Sequence, residues 1–288
     1  MTNATLLSLG HGYSAQGLAR ILKPQGWRII GTSRSPDGAE AITRSGVEAR
    51  LWPGADLGPD LEDATHLLCS IAPRGGDPVL ERMADRIAGA APHLQWVGYL
   101  STTAVYGDHA GGWVDEDTPL APATERGRER VAAECGWQDL AARAGLPLHI
   151  FRLAGIYGPG RGPFEKVRDG SARRIVKPGQ VFSRIHVDDI ARVLAASMAR
   201  PDPGRIYNVC DNDPAPPEEV LSHAARLLGL PEPPAVPFEQ AVLSPMARSF
   251  YAESKRVRND RIRLELGVEL RFPTYREGLA ALLNEGSR

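Results

Sequence analysis

Cysteine is the rarest residue of this 288-residue chain: only Cys69, Cys135 and Cys210 carry thiols. They stand far apart with no Cys-x-x-Cys spacing, which argues against a disulfide scaffold or a cysteine zinc site and fits a reducing compartment. The seven histidines are scattered without a His-x-x-x-His pair, so no metal centre is expected. Charge of one sign is missing as well. With 34 Lys+Arg against 35 Asp+Glu the formal net charge is −1, and no basic-aromatic platform accompanies it, so nucleic acid is not an expected partner. No run reaches the roughly eighteen apolar residues of a membrane span. The apolar run Ala4–Leu9 stops at a glycine turn without a basic leader, so the sequence predicts no export signal and a cytoplasmic location. There is no Gly-x-Ser-x-Gly elbow and no Walker lysine, which weakens hydrolase and phosphoryl-transfer readings.

The first half alternates short apolar runs with helical patterns, as βαβ units of a parallel sheet do. Strands are predicted at Thr5–Leu9, Trp27–Gly31, Glu48–Leu51, His66–Ile71, Gln95–Leu100 and Leu148–Leu153. Between the first two, Ala15, Leu18, Ala19 and Leu22 recur at helical spacing and supply an apolar stripe for the sheet. After about residue 155 glycine and proline become frequent, from Gly158-Pro159-Gly160 to Pro237, and punctuate helices expected at Val187–Met198, Pro217–Leu228 and Thr274–Asn284. The expected fold is α/β: a doubly wound Rossmann domain over residues 1–155, then a smaller C-terminal substrate-binding lobe over 156–288 from which some segments return to the sheet.

Gly10-His11-Gly12-Tyr13-Ser14-Ala15 follows the first strand and opens the first helix, the arrangement that places a dinucleotide pyrophosphate at a helix N-terminus. Gly10 serves the tight turn, Gly12 the close backbone approach, and Ala15 the packing of helix on strand. At the end of the second strand, where an NAD site usually has an acid for the ribose hydroxyls, the chain reads Thr32-Ser33-Arg34-Ser35. A guanidinium among hydroxyls suits a 2′-phosphate, so the sequence favours NADP over NAD, with Ser33 and Arg34 as its contacts.

Four segments in order, the glycine loop, Ser101-Thr102-Thr103-Ala104-Val105-Tyr106-Gly107, Arg152-Leu153-Ala154-Gly155-Ile156-Tyr157-Gly158-Pro159, and Ile185-His186-Val187-Asp188-Asp189-Ile190, resemble the extended short-chain dehydrogenase/reductases of the NAD(P)-dependent epimerase/dehydratase type. The resemblance implies a cofactor half, a C-terminal substrate lobe and a cleft between them. It places Ile71-Ala72-Pro73 along the cofactor, makes Thr102 the hydroxyl beside the reacting oxygen, and implies a homodimer through helices near Pro78–Ala88 and Thr124–Arg143. It also implies a Tyr-x-x-x-Lys pair about two dozen residues after Thr102, where this chain has Arg126-Gly127-Arg128-Glu129-Arg130.

A guanidinium exchanges no proton at working pH, so Arg126 is no general acid; it suits an anionic group bidentately. Arg126, Arg130, Ala133, Trp137 and Leu140 share one helical face, which carries both arginines toward the core side. Tyr106 and Tyr157 are the tyrosines available to replace the lost acid. Phe182 stands where sugar-nucleotide relatives commonly have an arginine, which counts against such a substrate. Asp188 and Asp189 read as helix-start acids, and His186 as a hydrogen-bonded interior residue. Two functions follow: an NADP-dependent oxidoreductase, epimerase or dehydratase acting on a small, anionic substrate with Thr102, Arg126 and Arg130 at the site, or an NADP-binding sensor that lost turnover. A closed pocket would favour the sensor and an open basic cleft the enzyme.

Overall fold

The computed structural model describes residues 4–285. Seven strands form one parallel sheet: β1 (Thr5–Leu9), β2 (Arg28–Ser33), β3 (Glu48–Leu51), β4 (His66–Cys69), β5 (Trp96–Thr102), β6 (Leu148–Leu153) and β7 (Ile206–Val209), in the spatial order β7-β6-β5-β4-β1-β2-β3. The order reverses between β1 and β4, so the carboxyl ends of these strands flank the crevice where doubly wound sheets bind ligands. The central strands read as near-continuous apolar runs because both of their faces are covered.

Helices α1 (Tyr13–Leu22), α2 (Pro36–Arg44), α3 (Gly58–Asp63), α4 (Pro78–Ala90) and α5 (Glu125–Ala144) connect the first six strands. One face of the sheet is packed by Leu18 and Leu22 of α1 and Ile42 of α2, the other by Leu61 of α3, Ile87 of α4 and Trp137 of α5. Ser35, Asp77 and Thr124 cap the amides that open α2, α4 and α5.

The C-terminal part holds α6 (Phe164–Arg168), α7 (Val187–Ala199), α8 (Pro217–Leu227), α9 (Pro245–Phe250), α10 (Asp260–Leu264) and α11 (Tyr275–Glu285). Of these, α7 lies against α1, where a side chain at Gly17 would crowd Val187 and Ala191. Three short parallel pairs, Gly155–Tyr157 with Arg184–His186, Arg174–Val176 with Ala235–Pro237, and Trp113–Val114 with Arg256–Val257, tie the lobe together and to the nucleotide half. The lobe keeps its own core around Tyr157, Phe164, Ala224, Tyr275 and Leu279.

The seventh strand is absent from the sequence reading. In Ile206-Tyr207-Asn208-Val209 a polar residue interrupts a short apolar run, yet Asn208 is fully buried, its amide donating to Glu116 Oε1 at 2.8 Å and its side-chain oxygen accepting from Tyr106. Strand ends also shift: β2 runs to Ser33, β4 stops at Cys69 and β5 runs to Thr102. Among the described residues no helix is long and apolar enough to cross a membrane.

Candidate active site

The glycine loop leaves β1 at Gly10, whose φ of +79° suits glycine; a Cβ there would sit 2.7 Å from Ile71 Cγ1. The Gly10 amide donates to Thr32 Oγ1 at 2.8 Å and the His11 amide to the Thr32 carbonyl at 2.9 Å, so the loop is pinned to the end of β2. Gly12 starts α1 with no side-chain cap, which leaves the first amides of the helix without a side-chain acceptor. Ala15 is buried against the sheet, and Ser14 lines the cleft described below. His11 is 3 % exposed with neither ring nitrogen hydrogen-bonded; its ring rests on Gly31, where a Cβ would come within 2.7 Å, and burial lowers its pKa to about 4.

Arg34 stands exposed just beyond β2 and makes no hydrogen bond or ion pair with the described residues. Ser33 Oγ instead accepts from the Ser35 amide at 3.3 Å, so it serves the turn. After β4, Ile71 is half-buried against Gly10, Ala72 is exposed and Pro73 is buried. Tyr13 reaches out of the loop: its hydroxyl donates to the Pro159 carbonyl at 3.0 Å, and the Arg161 guanidinium lies 5.8 Å from its ring.

Beside the loop opens a cleft of about 1240 Å³ between the nucleotide half and the lobe. Gly10, Gly12, Tyr13, Thr102, Arg126 and Arg130 line it from one side. Thr102 Oγ1 accepts from the Ala104 amide at 3.3 Å, which leaves its own O–H free to donate. The two arginines of α5 behave differently. Arg130 is buried, with Nη1 donating to the Leu100 carbonyl at 2.6 Å and to Tyr99 Oη at 3.2 Å. Arg126, one turn earlier, is reached by solvent from the cleft, has no hydrogen bond or ion pair to the described residues, and lies 5.9 Å from the Phe250 ring. Surrounding protein atoms, and then repulsion from Arg130 and Arg161, press its pKa below the usual guanidinium value. From the lobe Arg161, Lys166, Arg173, Arg184 and Lys255 also line the cleft, against one carboxylate, Glu253, which is held by Lys255 at 2.6 Å.

Neither candidate tyrosine presents its hydroxyl to this cleft. Tyr106 is fully buried: its hydroxyl donates to Asn208 Oδ1 at 2.7 Å and accepts from Arg152 at 2.9 Å, and burial pushes its pKa up to about 12. Tyr157 borders the cleft with its ring, but its hydroxyl is sealed against Gly278 of α11 without a hydrogen-bond partner, and burial raises its pKa. Both positions are fixed by packing that the sequence does not display. Sequence reasoning also missed the buried pair beneath the site, in which Arg152 grips Glu134 at 2.8 Å while Glu134 accepts from Ser101 at 2.5 Å. Glu134 lies one helical turn after Arg130, and Arg152 belongs to one of the quoted motifs; a charged pair on buried stripes was the available signal.

Near the lobe end, Phe182 packs edge-on against Tyr251 at 5.6 Å. His186, not either aspartate, caps α7, its Nδ1 accepting from the Asp188 amide at 3.2 Å. Asp189 instead accepts from the Arg271 and Phe272 amides at 2.7 and 3.0 Å, tying the lobe's last loop to α7. Among the described residues no cluster of His, Cys, Asp and Glu is suited to a metal ion.

Residues 79–210 match the model of the NAD dependent epimerase/dehydratase family. The chain is 31% identical to protein YeeZ of Escherichia coli K12 over 279 residues, which is 92% of this chain and 95% of YeeZ. It is 32% identical over 182 residues to a 3-diazoavenalumate denitrifying reductase of Streptomyces, 58% of each chain. A solved structure of a conserved protein of unknown function from Silicibacter pomeroyi is 64% identical, covers 99% of this chain and 100% of its own, and superposes with a TM-score of 0.93. MoeE5 in complex with UDP-glucose and NAD shares the fold at 21% identity, with 99% of both chains covered and a TM-score of 0.78. With the glycine loop, the strand order and the interlobe cleft in place, these matches show that the chain belongs to the NAD-dependent epimerase/dehydratase family.

Proposed function

We propose that the protein is an NADP(H)-dependent oxidoreductase acting on a small anionic carbonyl or alcohol substrate. The observation that carries this reading is the open cleft beside the glycine loop, lined, among the described residues, by seven arginine and lysine side chains and one glutamate. A nucleotide sensor without turnover has no use for so large a basic cleft, so the cleft favours the enzyme.

The residues present fit a dinucleotide. The uncapped start of α1 offers amides to a pyrophosphate, Gly10 has room for no side chain, and Arg34 is an unpaired cation at the end of β2 where no carboxylate would repel a 2′-phosphate. When bound, NADP(H) supplies or accepts hydride. For a carbonyl substrate that hydride would go to the carbonyl carbon, and the proton for its oxygen would come from solvent in the open cleft. Thr102 donates its free O–H to the reacting oxygen, and Arg126 holds the substrate's anionic group and so orients it. Arg126 delivers no proton.

Reduced-nicotinamide absorbance followed with a panel of oxo acids and their neutral esters tests this. Oxidation of NADPH in preference to NADH, with acids preferred over esters, is the expected result. No oxidation of either cofactor by any member, together with tight NADPH binding, would leave the sensor as the better reading.

A further inference from the structure

The basic residues say that the ligand carries negative charge; the rest of the cleft wall says what else it carries. On the lobe side the cleft is bounded by Ile175, Phe182, Leu221, Val236 and Leu243. Ile175 and Val236 face each other as partners in a short parallel pair, so this wall has a backbone frame. The aromatic surface runs on toward the anion end: Phe182 packs on Tyr251 at 5.6 Å, and the neighbouring Phe250 lies over the Arg126 guanidinium at 5.9 Å. Phe250 remains 51 % exposed although large and aromatic, and Val242, which also lines the cleft, is fully exposed. Exposed apolar side chains gathered at a cleft mark the place of an apolar ligand rather than ordinary surface.

Of the cations, Arg184 lies against Phe182 with Nη1 donating to the Phe182 and Ala215 carbonyls at 2.9 and 3.0 Å, whereas Arg130 and Arg161 gather around Arg126. Arg126, Arg130 and Arg161 are close enough for the latter two to depress the first, and Glu253, the one acid in the cleft, is already held by Lys255. An anion placed among these guanidiniums relieves their mutual repulsion. We infer that the substrate site takes an amphipathic organic acid, its carboxylate between Arg126 and Arg161 and its aromatic or extended apolar body against Phe250, Tyr251 and Phe182. This rests on the oxidoreductase reading for its placement beside the cofactor, but the binding chemistry stands on the cleft alone.

The test is equilibrium binding by calorimetry to the full chain saturated with NADPH, with four probes that offer this reduced cofactor no ketone or aldehyde and so do not react: cinnamate, cinnamyl alcohol, acetate and UDP. Cinnamate is expected to bind at least about tenfold tighter than the other three, because it alone presents both features. R126Q and R161Q should each weaken cinnamate by about tenfold while leaving cinnamyl alcohol unchanged, and F182S should weaken cinnamate and cinnamyl alcohol together. Circular dichroism of each variant separates lost binding from lost folding. Cinnamate no tighter than cinnamyl alcohol or acetate, UDP binding tighter than cinnamate, or no cinnamate binding up to its solubility overturns the inference. Because none of the probes turns over, a failed turnover assay with positive cinnamate binding would count against the oxidoreductase reading only.

Discussion

Arg126 and Arg130 stand one turn apart on the same helix, yet only Arg130 is spent on the fold: it holds the Leu100 carbonyl at 2.6 Å, whereas Arg126 faces the cleft with an aromatic ring as its neighbour. This asymmetry separates a structural arginine from a binding one. R130M removes two buried hydrogen bonds and should cost about 1–3 kcal/mol in denaturant unfolding. R126Q should leave the unfolding midpoint within about 0.5 kcal/mol of the parent, since it breaks no hydrogen bond or ion pair to the described residues, and should raise KM for an anionic substrate. Equal destabilisation by both variants would contradict the division of labour.

Arg34 supplies a second, independent handle. Exposed and unpaired beyond β2, it is free to meet a 2′-phosphate without first breaking an ion pair. R34E should weaken NADPH roughly ten- to hundredfold, the loss of one or two charge-assisted hydrogen bonds plus repulsion, while changing NADH little. Fluorescence titration with both cofactors measures it. Equal loss for the two, or none, would remove Arg34 from cofactor selection.

Much of the nucleotide half is legible in the sequence because its rules are local. A glycine turn after an apolar run and an apolar stripe from Ala15 to Leu22 follow from residues close in the chain, and β1, α1 and the loop between them form as expected. The placing of Arg126 and Arg130 on one helix is equally readable, since a helix fixes what lies one turn apart. What is hidden depends on contacts distant in sequence. Nothing near Tyr106 announces that Asn208 and Arg152 will claim its hydroxyl, nothing near Tyr157 announces Gly278, and β7 is a strand because β6 offers it an edge. The aromatic path from Arg126 to Phe182 likewise joins three segments that only the fold brings together.

Buried titratable groups give the protein a pH profile with two sides. Burial lowers His11, His66 and His186 to about 4, so between that value and the unfolded value near 6.5 the unfolded chain binds more protons; stability is full above 6.5 and is lost as pH falls toward 4. Asp211 runs the other way: burial raises it to about 8, and its Oδ2 has no hydrogen-bond partner among the described residues. The folded state therefore holds a proton that the unfolded state has released above about pH 4, and stability falls as pH rises through 8. D211N should be more stable than the parent by on the order of a few kcal/mol at pH 8, with the gap closing toward pH 4. Thermal unfolding of both proteins across this range checks it; a constant gap would place the effect in packing rather than in the proton.

The two tyrosines provide the last test, because their hydroxyls are buried with opposite consequences. Tyr106 Oη bridges Arg152 and Asn208, so Y106F strips partners from two buried polar groups and should cost about 1–3 kcal/mol. Tyr157 Oη has no hydrogen-bond partner among the described residues and lies against Gly278, so Y157F removes an unsatisfied hydroxyl and should leave stability unchanged or raise it by about 1 kcal/mol. Urea unfolding of the two variants side by side reads the difference. If Y157F were as destabilising as Y106F, its hydroxyl would have to be bonded in the folded protein, and the sealed position described for it would be wrong. If Y106F proved neutral, the bridge from the turn after β5 to β7 would add nothing to stability, and Arg152 would be anchored by Glu134 and the Glu116 carbonyl.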